Sequence, residues 1–174
     1  MAYFTTSKLL NYKNDPSVVR LAQKHSATRV AASMKVFLSH SHQDRDYVEA
    51  VRLLLESQGS GIYVDWQDGE MPAQTSWQTA ASLKSKIKDL KKVVLLASEN
   101  SKESKWVPWE LGYGEGVNGL SSVAILAVLP DNVELWKGTE YVSAYPFIEE
   151  DQRGPIVRNP VDGTTQLLTD WLRK

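Results

Sequence analysis

Apolar residues fall in two rhythms along this chain. Four short runs are apolar with little or no alternation, at 35–39, 62–66, 93–97 and 122–129. Such runs predict strands covered on both faces. Between them, apolar side chains return every three or four residues. Tyr47, Val48, Val51, Leu54 and Leu55 make one such stripe; Trp77, Ala80, Leu83, Ile87 and Leu90 make another. Both predict amphipathic helices. Gly59 and Gly61 stop the first, and Thr75 with Gln78 reads as a capping box for the second. Ser41 with Asp44 is a weaker match to the same box. A further helix follows Ser101 and Ser104 and carries Trp106, Trp109, Glu110 and Tyr113. Its Gly112, Gly114 and Gly116 imply close packing or an early end. Downstream, the expectations are a helical turn at 133–136, an edge strand at 141–145, a loop over 150–163 and a helix over 164–172. Upstream, Asp15-Pro16 opens a helix over 16–31, with Val18, Val19, Leu21 and Ala22 as its apolar stripe. Leu9 and Leu10 suggest another helical turn before it.

Strands alternating with single helices predict a parallel sheet wrapped on both faces. The fold expected is α/β: a flavodoxin-like three-layer sandwich with a central, mainly parallel sheet. Residues 34–174 form that domain, and residues 1–33 a helical extension. In this architecture sites form outside the C-terminal ends of the strands. Those ends are the loops 40–44, 65–75 and 98–104.

Composition narrows the chemistry. The 174 residues include no cysteine, which excludes disulfides, thiol nucleophiles and thiolate metal sites. Apolar residues at 42% and charged residues at 24% suit an ordinary soluble globule, and the absence of cysteine is compatible with a reducing, cytoplasmic location. A net charge of −1 gives no pull toward nucleic acid or membrane, and no apolar run is long enough to span a bilayer. Charge is uneven, however. Lys8, Lys13, Arg20, Lys24 and Arg29 face one acid, Asp15, in the first 33 residues. This is read as a helical arm lying on an acidic surface; a transit peptide is the lesser alternative. His40, His42 and Asp44 raise the question of a metal. None is assigned, because alternate residues of an extended strand end point to opposite faces.

Three segments carry a resemblance. Residues 35–41 followed by Asp44, residues 63–66 followed by a loop with Gly69 and Pro72, and Ser101-x-x-Ser104-x-Trp106-x-x-x-Glu110 occur in this order. Together they resemble Toll/interleukin-receptor-like (TIR-like) domains, bacterial ones in particular, over about residues 34–150. The resemblance implies cleavage of NAD at the nicotinamide–ribose bond, with NAD as substrate and no resident cofactor. It maps the essential carboxylate onto Glu110. Ser39, His40, Ser41, Asp44, Asp65, Trp66, Ser101, Trp106 and Tyr113 are then the candidate substrate-binding residues. The chemistry is coherent: bond breaking leaves an oxocarbenium-like ribose that one carboxylate can stabilise. Nicotinamide leaves as a neutral molecule and needs no strong acid. A lone TIR-like chain also resembles the TIR proteins of Thoeris-type anti-phage systems, which make an NAD-derived messenger for a separate effector. Self-association through the loop 67–74 is implied as well. A non-catalytic adaptor acting by TIR–TIR association is the alternative.

Overall fold

The computed structural model describes residues 3–28, 34–67, 76–133 and 140–174. The chain opens with β1 (Phe4–Thr5), α1 (Thr6–Asn14) and α2 (Pro16–Thr28), then β2 (Met34–Ser39), α3 (Arg45–Ser57) and β3 (Gly61–Tyr63). There follow α4 (Trp77–Leu90), β4 (Lys92–Ala97), α5 (Trp106–Asn118) and β5 (Val123–Leu129). It closes with β6 (Phe147–Asp151), β7 (Gly154–Arg158), β8 (Thr165–Leu167) and α6 (Leu168–Arg173).

One sheet runs β3-β2-β4-β5-β6-β7-β8. Its first five strands are parallel, in the flavodoxin-like order expected. β7 and β8 are antiparallel additions. Every residue of β4 and β5 is buried, and successive side chains go to opposite layers. Val36, Leu38, Val94 and Leu96 join Val48, Val51, Leu54 and Leu55 of α3 in one core. Phe37, Val93 and Leu95 join Leu83 and Ile87 of α4 and Leu111 of α5 in the other. That double coverage is why these runs show no alternation.

Helix α5 reaches Asn118 despite its glycines. A Cβ on Gly114 would stand 2.6 Å from Val93 Cγ2, so this glycine lets α5 close on β4; Gly112 and Gly116 have nothing within 4 Å. Pro108 falls in the first turn, where a missing N–H costs no helical bond.

The N-terminal residues are woven into the domain. β1 pairs with β5 in parallel, Phe4 against Val128 and Thr5 against Leu129. Phe4 and Leu9 are fully buried, and α1 and α2 pack on α3. Lys8 pairs with Glu150 at 2.5 Å and Lys13 with Asp46 at 2.8 Å. Tyr12 donates to Glu150 at 2.8 Å.

Several local expectations fail for identifiable reasons. The strand expected at 62–66 ends at Tyr63, and Asp65–Gln67 is a 3-10 turn. The cap of α4 is Ser76, whose N–H donates to Thr79 Oγ1 at 3.1 Å. Residues 141–144 lie in a 3-10 turn, Glu140–Ala144, instead of a strand, and Tyr145 follows as a bend. The supposed loop at 150–163 holds most of the β6–β7 hairpin, and 165–167 extend the sheet before α6 begins. There Glu149, almost fully buried, is neutralised by Arg158 at 2.9 Å across the hairpin. In the sequence, Arg153-Gly154-Pro155 and Asn159-Pro160 read as loop. Leu21 is exposed, unlike Ala22, so the stripe on α2 is narrower than expected. The end of that helix beyond residue 28, the loop 68–75 with Gly69 and Pro72, and most of the turn at 133–136 lie outside the described residues.

Candidate active site

The order of the sheet reverses between β2 and β4, whose helices leave on opposite faces. The polar residues after these strands converge at that crevice, as the architecture dictates. Glu110, on the second turn of α5, points under the end of β2 and is 5% exposed. Ser39, the last residue of β2 and fully buried, donates its hydroxyl to Glu110 Oε2 at 2.5 Å. Burial pushes the Glu110 carboxyl up from 4.5 to about 7; the Ser39 hydrogen bond opposes the rise and the nearby charge of Asp65 adds to it. A carboxyl poised near neutrality in a crevice, with one hydroxyl aimed at it, is the arrangement expected of an acid–base or charge-stabilising group.

His40 lies beside this pair. Its Nδ1–H donates to the Leu38 carbonyl at 2.8 Å, and its ring meets Trp66 edge-on at 4.5 Å. Its Nε2 faces Asp65 Oδ1 at 3.4 Å. Burial is the main cause of a pKa held below the usual histidine value. Arg45 lies over the Trp66 indole at 5.6 Å. His42 is exposed, with its ring 6.1 Å from that of His40. The two histidines do not point apart, because residues 40–44 have left the strand and turn, with Asp44 N–H closing on the Ser41 carbonyl at 2.9 Å.

Asp44 does not cap α3 with its side chain. Its carboxylate accepts from Ser98 Oγ at 2.5 Å and from Asn100 Nδ2 at 2.6 Å, tying the loop after β2 to the loop after β4. Ser101 closes the same knot: it accepts from Ser98 N–H at 3.0 Å and donates to the Ser98 carbonyl at 2.8 Å. Ser41 is buried in its turn and accepts from Gln43 N–H at 3.4 Å. Ser98 and Asn100 were passed over in the sequence. The available signal was their place directly after a fully buried strand at the switch point.

Trp106 and Tyr113 stack instead along α5. Trp106 meets Trp109 edge-on at 5.4 Å, and Trp109 stacks on Tyr113 at 5.8 Å. Lys84 of α4 covers both Trp109 and Tyr113. Glu115, on the same helix, is half-buried and accepts from Tyr145 at 2.6 Å. Of the candidates, the structure thus joins Ser39, His40, Asp65, Trp66 and Glu110 in one cluster and Ser41, Asp44 and Ser101 in the adjoining loop knot. Among the described residues no helix is long and apolar enough to cross a membrane.

Comparison with known proteins gives the chain's family and relatives. Residues 36–153 match the TIR domain family. The "Probable 3' cyclic ADP-D-ribose synthase ThsB'" of Bacillus cereus (strain MSX-D12) is 31% identical, over 91% of this chain and 88% of its own length. The "Putative cyclic ADP-D-ribose synthase TIR2" of Cytobacillus dafuensis is 33% identical over 45% of this chain and 21% of its own.

Proposed function

The chain belongs to the TIR domain family, and from that premise we propose that it cleaves the nicotinamide–ribose bond of NAD and closes the ADP-ribose product on itself. The buried Glu110–Ser39 pair carries this reading, and the names of its relatives support it. The C–N bond breaks with its electron pair going to the pyridinium nitrogen, which leaves neutral. The ribose carbon becomes oxocarbenium-like. The ionised form of Glu110 stabilises that charge, and Ser39 fixes the carboxylate's direction. A nucleophilic oxygen or nitrogen elsewhere on the same ADP-ribose then bonds to the ribose carbon, and any proton it carries is lost to solvent. His40, Trp66 and Asp65 border the substrate; Asp44, Ser98 and Ser101 hold the surrounding loops in place. Trp106 and Tyr113 support α5 through the Trp109 stack. NAD is substrate here, and the chain's own groups suffice for these steps.

Incubation of the pure protein with NAD and resolution of products by mass tests the reading. Free nicotinamide and a product one water lighter than ADP-ribose are expected. Unchanged NAD at high protein concentration would favour the adaptor, and ADP-ribose alone would refute ring closure. The product serves as a messenger to a separate effector protein in cytoplasmic antiviral defence. Cleavage also depends on self-association through the TIR domains, with the loop 67–74 of one copy meeting the crevice of another. Specific activity should therefore rise with protein concentration. A flat dilution series from a monomer would overturn that dependence.

A further inference from the structure

We propose that His40, His42 and Asp65 form a binding site for a divalent transition-metal ion of the zinc class, beside the Glu110 crevice. Each offers one ligand atom, and these atoms all lie within 4.8 Å of one another. The state of His40 is the decisive observation. Its Nδ1 lies 2.8 Å from the Leu38 carbonyl oxygen. A carbonyl only accepts, so Nδ1 carries the proton and the Nε2 of the neutral ring is left with a lone pair. The side chain is 3% exposed, and Nε2 is buried with no hydrogen-bond partner among the described residues. It faces a carboxylate oxygen of Asp65 at 3.4 Å. Two lone pairs opposed in a buried place are unfavourable unless a proton or a cation stands between them. A backbone carbonyl behind the ring, fixing its tautomer and orientation, is the usual support of a metal-bound imidazole.

The distances fit. Zinc takes nitrogen and oxygen ligands at about 2.0–2.2 Å, so neighbouring ligands of a tetrahedral site stand about 3.3–3.5 Å apart. The His40–Asp65 separation of 3.4 Å already has that value. His42 is exposed and can swing its ring through the remaining distance. Two imidazoles and a carboxylate leave one position open for water or an incoming ligand. This donor set selects zinc, cobalt, nickel or copper over magnesium or calcium. Bound metal would tie the loop after β2 to the turn after β3. The site shares His40 and Asp65 with the border of the proposed NAD crevice, but no cleavage step runs through it, and its test reads binding directly whether or not NAD is cleaved.

The whole chain, stripped of metal by a chelator, is titrated with zinc chloride in a calorimeter and with cobalt(II) under visible absorption. One equivalent of zinc should bind, with four-coordinate cobalt bands and a raised melting temperature; magnesium should produce neither. His42→Ala and Asp65→Asn should each weaken zinc binding about tenfold or more, with the metal-free melting temperature of His42→Ala near that of the parent. Absence of saturable binding, or unchanged affinity in both variants, would overturn the proposal. So would NMR signals showing both His40 ring nitrogens protonated in the presence of zinc, which would identify a plain His40–Asp65 ion pair.

Discussion

Replacing Glu110 by glutamine should abolish NAD cleavage and, above neutral pH, make the fold more stable. The folded carboxyl titrates at about 7 against an ordinary 4.5, chiefly because of burial. Between those pH values the folded protein holds a proton that the unfolded chain has released. The stability linked to this proton is fully present below 4.5 and is lost as pH rises through 7. At about 1.4 kcal/mol per unit, the rise amounts to about 3 kcal/mol. That is a large share of the roughly 5–15 kcal/mol typical of a domain. Glutamine keeps an oxygen for the Ser39 hydroxyl and carries no charge, so it escapes the loss. Its NH2 stands where the hydroxyl of the protonated acid stands. Urea unfolding of parent and variant, followed by tryptophan fluorescence, should nearly coincide around pH 4.5. By about pH 8.5 the variant should be more stable by about 3 kcal/mol. Nicotinamide release measured on the same samples should be lost. A variant as pH-sensitive as the parent, or less stable at high pH, would refute the buried-acid account. Full turnover by the folded variant would refute the catalytic role.

Ser39→Ala removes a hydrogen bond to the ionised carboxylate, worth about 1.5–3 kcal/mol. In a metal-free pH–rate profile, the limb that rises with pH should then shift upward by about 1–2 units; a downward shift would contradict the assigned role. Gly114→Ala should lower stability by about 1–3 kcal/mol in thermal melts, because its Cβ would meet Val93 at 2.6 Å. Gly112→Ala, with nothing within 4 Å, should raise stability by as much as about 1 kcal/mol. Phe4→Ala should cost about 3–5 kcal/mol, since Phe4 is fully buried against the sheet. Deleting residues 1–32 should lower the melting temperature further, and an unchanged melt would show the arm to be dispensable.

The sequence alone determined the parallel core of this protein. Runs such as 93–97 and 122–129 are legible because both of their faces are buried, and α3 and α4 because only one of theirs is. Glu110 was singled out through the family resemblance carried by Ser101, Ser104 and Trp106, a local motif that needs no coordinates; its burial against Ser39 came only with the fold. Tertiary structure decided what depends on distant partners. Two residues, Phe4 and Thr5, carry no strand signal of their own, and they form a strand because Val128 and Leu129 of β5 run on past the residues paired with β4 and β6. The β6–β7 hairpin was hidden because Arg153-Gly154-Pro155 and Asn159-Pro160 read as loop, and its Glu149–Arg158 pair is tolerable only once the strands meet. Asp44 looked like a cap, since its local context favours one, yet its carboxylate is taken by Ser98 and Asn100 more than fifty residues away. The His40 ring could be fixed only by folding. Its carbonyl partner lies two residues back, but the carboxylate facing it arrives on another strand's end. Periodicity reports which face of an element is dry; it carries no information on which polar atoms meet when those faces close.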